Sequence, residues 1–118
     1  MNKSTRMIAQ LPHTPFTTKV KHFHGLPPKV TGQQDERRLL PPPAFLLLEQ
    51  RTEGVFLFRY GSQGQCVGDT WHMSVQDAMD QAAFEYPDTA LDWQDIPAEV
   101  ADAVHFGIQR IGSLPEEA

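Results

Sequence analysis

The chain has 118 residues and a formal net charge of −5, and 40% of its residues are hydrophobic. That length fits one domain of ordinary size. No apolar run approaches the ~20 residues of a membrane-spanning helix, and no apolar segment follows Lys3 and Arg6 as in a secretory signal. The single cysteine, Cys66, cannot form an intramolecular disulfide and suits a reducing compartment. We therefore predict a cytoplasmic protein with no membrane partner.

Charge divides the chain into two parts of opposite sign. Residues 1–43 carry seven basic and two acidic residues, and residues 44–118 carry three basic and thirteen acidic ones. Seven of the ten prolines also lie at or before Pro43. We predict a basic, Pro-rich and poorly ordered arm over 1–43, a folded domain over 44–112 and a frayed tail over 113–118. The arm either reaches an anionic partner or neutralises its own acidic domain, and the second interpretation is favoured.

The arm contains the candidates for nucleic-acid and metal binding. Before Phe16 no sustained periodicity is present, whereas residues 16–24 alternate in a way that predicts an edge strand. Histidines 22 and 24 share one face of that strand, but two histidines are too few for a closed zinc site, so no metal or other cofactor is predicted. Basic residues interleave with an aromatic residue, a composition of many nucleic-acid-binding strands. The candidate basic surface comprises Lys19, Lys21, Lys29, Arg37 and Arg38.

Two apolar runs, 44–50 and 55–60, predict a β-hairpin closed by the short loop 51–54. Gly54 supplies a residue that tolerates positive φ. Phe56 and Phe58 fall on one face of the second strand, and Val55, Leu57 and Arg59 fall on the other. Because both faces carry apolar residues, each face needs a cover. The second face, which carries some of Leu46, Leu48, Phe56 and Phe58, could be covered by the arm, the C-terminal helix or a second subunit.

A helix is predicted over 74–86. Ser74 stands at the N-cap with Asp77 three residues later, and Pro87 ends the helix. Its apolar stripe consists of Val75, Ala78, Met79, Ala82, Ala83 and Tyr86. An extended segment over 91–96 and a short helix over 98–106, ended by Gly107, complete the prediction. The fold class is α+β, a small antiparallel sheet with one packed amphipathic helix and a short C-terminal helix.

A polar-aromatic loop is predicted between the sheet and the helix. The loop contains the candidate interaction residues Asp69, Thr70, Trp71 and His72. In the simplest interpretation Asp69 and Thr70 bond loop amides, Trp71 is a hydrophobic anchor and His72 is solvated. Cys66 and His72 could in principle form a nucleophile and its base, which leaves a thiol enzyme or hydrolase as an alternative. No catalytic motif supports it.

The segment Gly68–His72, followed by Ser74, Asp77-Ala78, Gln81-Ala82 and Phe84-Glu85-Tyr86, resembles a set of short uncharacterised bacterial proteins. These proteins share the hairpin, the Gly-Asp-Thr-Trp-His loop and the Gln-Ala-x-Phe-Glu helix. The resemblance covers residues 44–96, about half of the chain, and implies no activity. The order strand, strand, helix also resembles the small antitoxin domains of the HicB type at the level of fold.

These observations favour a small non-enzymatic protein-interaction module, an adaptor or an antitoxin/immunity-like protein. Its partner would be another protein or a second copy of the chain. Nucleic-acid binding through the basic arm is the second hypothesis, against which the acidic domain counts. Thiol or hydrolase chemistry at Cys66 and His72 is the third.

Overall fold

The structure, a computed structural model, describes residues 5–12, 15–24 and 38–113. It has an α+β fold in which a five-stranded antiparallel sheet carries a helix on each face. The sheet order is β6-β5-β4-β1-β7, and β2 and β3 form a separate two-stranded sheet. The strands are β1 Arg6–Gln10, β2 Phe23–His24, β3 Arg38–Leu39, β4 Phe45–Arg51, β5 Gly54–Tyr60, β6 Cys66–His72 and β7 Gln94–Asp95; the helices are α1 Val75–Glu85 and α2 Ala103–Ser113.

The predicted hairpin is confirmed as β4 and β5. Leu48 pairs with Leu57, and Gly54 has φ +147° at the turn. Along β5 the exposure alternates as expected, since Val55 and Leu57 are buried while Phe56 is half-buried. The register also places the side chains of β4: Leu46 and Leu48 face the same side as Leu57, so Phe56 and Phe58 are the two of the four candidates that lie on the second face.

The N-terminal part contributes a strand to the interior of the sheet, although the sequence before Phe16 shows no sustained periodicity. Strand β1 lies between β4 and β7, with Ile8 and Ala9 buried. Periodicity missed it because a strand covered on both faces is apolar at consecutive positions and shows no alternation. The edge strand predicted over 16–24 is also wrong in extent, since only Phe23–His24 are a strand and pair with β3.

Helix α1 confirms the central prediction about packing. The Ser74 side chain accepts a hydrogen bond from the Asp77 backbone N–H at 3.0 Å and so caps the helix. Five of the six stripe residues pack on the sheet beside Leu46, Leu48 and Leu57, and only Ala83 is exposed. This packing buries the first face of the hairpin, the face with Val55, Leu57 and Arg59.

Helix α2 covers much of the second face and does not have the predicted bounds. Asp102 begins it by accepting a hydrogen bond from the His105 backbone N–H at 3.0 Å, and the helix continues through Gly107. Ile8, Phe45, Leu47 and Ile96 form the core beneath it. The segment predicted to be extended, 91–96, contains β7, which pairs with β1. Neither α1 nor α2, the helices in the described ranges, is long and apolar enough to cross a membrane.

Candidate interaction surface and buried polar network

The four candidate interaction residues lie in strand β6, so their prediction as a loop is wrong. Register pairs His72 with Val55 and Thr70 with Leu57, which directs both side chains toward α1. Asp69 and Trp71 point to the opposite face. Only 7% of His72 is exposed, against 54% of Trp71. The expected roles are therefore reversed, because the histidine is buried and the tryptophan meets solvent.

Trp71 is exposed but held in one place. Its indole Nε1 donates a hydrogen bond to the Glu53 carbonyl at 3.1 Å. The ring lies against Gly54, where a Cβ would collide with the indole. A glycine at the hairpin turn thus makes room for the tryptophan, and the fixed ring presents one flat apolar side to solvent.

Three further side chains extend this exposed face into a continuous surface. The rings of Phe56 and Phe58 stack with centroids 5.8 Å apart, and the Arg51 guanidinium lies 4.9 Å from the first and 5.7 Å from the second. Phe56 is also the cross-strand partner of Trp71. We call Arg51, Phe56, Phe58 and Trp71 the aromatic patch. It occupies the β5–β6 side of the face that α2 covers elsewhere.

The Arg51 guanidinium forms an ion pair with an acidic neighbour, Glu49. Its Nη2 donates to Glu49 Oε2 at 3.2 Å, and this hydrogen bond, followed by the charge of Glu49, raises the pKa of Arg51. A cleft of about 500 Å³ opens beside the patch, between the sheet and the start of α2. It is lined by Phe58 and Tyr60 on the sheet and by Asp102 and Val104 next to it.

On the other face, a fully buried ion pair joins the sheet to α1. Arg59 and Glu85 are each 0% exposed. The Arg59 Nε donates to Glu85 Oε1 at 2.9 Å, and its Nη2 donates to Glu85 Oε2. Two further guanidinium N–H groups are used as well, since Nη1 donates to the Leu57 carbonyl at 3.2 Å and Nη2 to Thr70 Oγ1 at 3.2 Å. Hydrogen bonds of this kind are what a buried charge requires.

The Glu85 carboxylate collects two more hydrogen bonds. Gln81 Nε2 donates to Oε2 at 2.8 Å, and His22 Nε2 lies 3.0 Å from Oε1. Burial on its own raises the pKa of Glu85, but the hydrogen bonds from Arg59, His22 and Gln81 outweigh burial and hold the pKa below its usual value. Glu85 is therefore ionised at neutral pH, and His22 donates to it.

Thr70 and His72 continue the network to the surface. Thr70 Oγ1 lies 2.7 Å from His72 Nε2, and His72 Nδ1 lies 3.2 Å from Asp77 Oδ2. The Asp77 carboxylate can only accept, so the His72 Nδ1–H donates to it; in the neutral imidazole Nε2 then accepts from the Thr70 hydroxyl, whose oxygen also accepts from Arg59. This order of acid, imidazole and hydroxyl matches that of a hydrolase triad. Here, however, the hydroxyl oxygen is engaged by Arg59, which indicates a structural role.

The combination of Cys66 and His72 as nucleophile and base is wrong on geometry. The two residues stand at opposite ends of β6, roughly 20 Å apart at ~3.3 Å per residue. Cys66 is exposed and its Sγ lies 3.6 Å from the Gly68 carbonyl, whereas the imidazole contacts Thr70 and Asp77 on the buried face.

Residues 17–22 of the predicted basic arm contact the C-terminal end of α1. The Lys19 backbone N–H donates to the Glu85 carbonyl at 2.9 Å, and its Nζ lies 5.6 Å from the centroid of the Phe84 ring. Thr17 donates to Asp88 at 2.6 Å. Lys21 is exposed, and position 38 belongs to β3, while Lys29 and Arg37 lie outside the described residues. Within 5–12, 15–24 and 38–113, no three His, Cys, Asp or Glu side chains are grouped to hold a metal ion.

Comparison of the chain with protein-family models, with curated proteins and with solved structures finds no match.

Sequence reasoning missed the Arg59–Glu85 pair, although a signal for it was present. Arg59 is the one charged residue on the face that also carries Val55 and Leu57. A charge at such an inward position needs a buried partner of opposite sign. Glu85 immediately precedes Tyr86 of the helix stripe and is the acid in α1 that is buried.

Proposed function

We propose that this protein is a small non-enzymatic protein-interaction module, an adaptor or antitoxin/immunity-like protein, that contacts a partner through the aromatic patch. The observation that carries the proposal is Trp71, more than half exposed yet fixed by its hydrogen bond to Glu53. Tryptophan and arginine are the residues most enriched among those that dominate binding energy at interfaces. Because the ring is already ordered, binding costs little further side-chain entropy.

The charges around the patch indicate the chemistry of its partner. Asp69 is exposed on the same face, and Glu53 stands at the hairpin turn beside Trp71. Residues 44–118 carry ten more acidic than basic residues. A partner surface with apolar side chains and positive charge complements this composition and would be attracted to it over long range. An exposed free thiol at Cys66 supports a reducing, cytoplasmic setting.

The test compares two exposed aromatic residues on different parts of the surface. Trp71 is 54% exposed in the patch, and Phe84 is 55% exposed on α1. The wild type, Trp71→Ala and Phe84→Ala would each be used to capture and crosslink bound proteins from a lysate of the cells that naturally express the chain. The proposal expects a specific protein that is lost with Trp71→Ala and retained with Phe84→Ala. Identical captured sets for the wild type and Trp71→Ala would remove the patch as the contact surface.

Nucleic-acid binding through the basic arm remains the alternative proposal. The contacts of Lys19 with the Glu85 carbonyl and the Phe84 ring hold this part of the arm against its own domain, which counts against its reaching a separate anionic partner. A decisive assay keeps β1 and replaces only Lys19, Lys21, Lys29, Arg37 and Arg38 by glutamine. Unchanged retention of labelled single-stranded and duplex probes at low salt would dismiss this alternative.

A further inference from the structure

One segment of the N-terminal arm lies against both α1 and β6, and we call its residues 15–22 the strap. Near its start, the Phe16 ring meets Tyr86 edge to face, with the ring centroids 5.7 Å apart. At its end, the His22 Nε2 lies 3.0 Å from Oε1 of the Glu85 carboxylate. The strap is thus attached to the C-terminal end of α1 by one apolar contact and one polar contact.

The strap also completes the end of the helix. The last carbonyl groups of an α-helix have no partner within the helix. The Lys19 backbone N–H donates to one of them, the Glu85 carbonyl, at 2.9 Å. Since His22 reaches the carboxylate of the same residue, the strap holds Glu85 by its main chain and by its side chain. The position of the strap is therefore coupled to the buried pair of Arg59 and Glu85.

Strand β6 is shaped to receive the His22 ring. Gly68 has φ +138°, and a Cβ built on it would lie 2.9 Å from the imidazole. A side chain at position 68 would therefore push the ring away. The His22 side chain is 19% exposed, since it lies between β6 and α1. His22 is thus the residue at which the strap, the sheet and the helix meet.

Elsewhere the strap is shallow. None of its residues is buried, and five of the eight are exposed. Among the described residues, two main-chain hydrogen bonds connect it to other segments, one at Lys19 and one in which the His22 carbonyl accepts from the Leu40 N–H at 2.7 Å. In contrast, Leu57 is 0% exposed and pairs with a strand on each side. A segment with few buried contacts and few protected amides opens at a lower free energy than global unfolding requires.

We propose that the strap is a reversible cover that leaves α1 and β6 as a unit while the five-stranded sheet stays folded, and that the contact of His22 with Glu85 fastens it. The open strap gives water access to the Glu85 carboxylate and to Gly68, and it separates Lys19 and Lys21 from the acidic domain. The two states therefore differ in the hydration of the buried ion pair and in the placement of the basic arm. The strap lies on the α1 face, opposite the aromatic patch, so the proposal is independent of the proposed function.

Hydrogen exchange of the full chain, followed by NMR, tests the opening. The Lys19 amide reports it directly, because its N–H bonds to α1 only while the strap is closed. This amide should be protected, yet exchange at least about 100-fold faster than the amide of Leu57. Low concentrations of urea should accelerate Leu57 and not Lys19, because opening the strap exposes little surface. A Lys19 amide without protection, or one that matches Leu57 in rate and in urea dependence, would overturn the inference.

A core substitution far from the strap separates local opening from global unfolding. Ile8→Val changes a buried residue in the core beneath α2 and should accelerate the exchange of Leu57 by about 2- to 10-fold. The same substitution should leave the exchange of Lys19 unchanged, because the sheet remains folded when the strap is open. Equal acceleration of the two amides would show that the strap and the sheet unfold together.

A pair of substitutions within the strap identifies its fastening. His22→Ala removes a hydrogen bond to a charged group and should accelerate the exchange of the Lys19 amide by about tenfold or more. Lys21→Ala is the control, since it removes a positive charge at the exposed neighbouring position and should change this rate little. Unchanged Lys19 exchange in His22→Ala, or the same acceleration in both variants, would contradict the role of His22.

Discussion

At the scale of single residues, the main feature of the domain is the buried ion pair between Arg59 and Glu85. Both side chains are completely withdrawn from water, and their mutual attraction must offset the loss of hydration of two charges. A pair of this kind is weak evidence for net stability, since apolar residues of similar volume often stabilise as well. Removing only one of the two residues is strongly destabilising, because it leaves an uncompensated charge in the core.

Glu85→Gln should lower the free energy of unfolding by about 3–5 kcal/mol, because Arg59 would keep its buried charge without a counter-charge. Glu49→Gln is the matched control, since it breaks an ion pair with Arg51 at the surface and should change stability by less than about 1 kcal/mol. Urea denaturation followed by circular dichroism measures both. Equal changes for the two variants would show that the buried charges are not coupled as described.

Tyr86 should make the domain sensitive to alkali. Burial, followed by the negative charge of Glu85, raises the pKa of the Tyr86 phenol from its ordinary value of 10.0 to about 12. The unfolded chain therefore ionises first, and stability that is complete below pH ~10 is lost as the pH rises toward ~12. Denaturation midpoints measured across this range should fall for the wild type and fall less for Tyr86→Phe. Parallel curves for the two proteins would contradict this assignment.

At the scale of elements, α2 depends on a glycine in its middle. Gly107 is buried against Phe45, and a Cβ there would overlap the ring. Glycine lowers the intrinsic stability of a helix interior by about 1 kcal/mol relative to alanine, yet it is what allows the helix to approach the sheet. Packing therefore overrides the local signal that predicts a helix end at this position.

Gly107→Ala should destabilise the protein by about 1–3 kcal/mol even though it raises helix propensity, because the buried Phe45 ring must move. Gln109→Ala, at an exposed position of the same helix, should be nearly neutral or slightly stabilising. Thermal unfolding of both variants decides the matter. A gain in melting temperature for Gly107→Ala would mean that α2 does not pack on Phe45.

The elements that could be predicted from sequence are those whose signals are local. The 44–60 hairpin and the helix from Ser74 have turn residues, a cap and unbroken apolar patterns, and all were predicted. Strand β1 and the true extent of α2 depend on contacts with distant segments, which no local pattern reports. For the site, sequence identified Trp71 as a candidate. The face it occupies follows only from the register of β6 on β5, because a shift by one residue would exchange Trp71 and His72.

At the scale of the whole molecule, the domain cannot be separated from its N-terminal part. Strand β1 contributes Ile8 and Ala9 to the buried residues and joins β4 to β7. The predicted boundary at residue 44 would therefore cut through the sheet.

A chain consisting of residues 44–118 should lack the cooperative unfolding transition of the full chain, because one side of β4 and the only described neighbour of β7 would be missing. Adding a synthetic peptide of residues 5–12 should restore part of the transition. A matched peptide with Ile8→Asp is the control, since a charge at that buried position cannot be accommodated. Cooperative unfolding of the truncated chain alone would contradict this dependence.

The position of β1 also determines the order in which the chain can fold during translation. Because β1 precedes both of its neighbours in the chain, it has no pairing partner until residues 45–51 emerge from the ribosome, and its other side stays open until residues 94–95 follow. Long-range pairings of this kind slow folding. Until residues 45–51 emerge, Ile8 and Ala9, which are buried in the folded domain, are unshielded on the nascent chain.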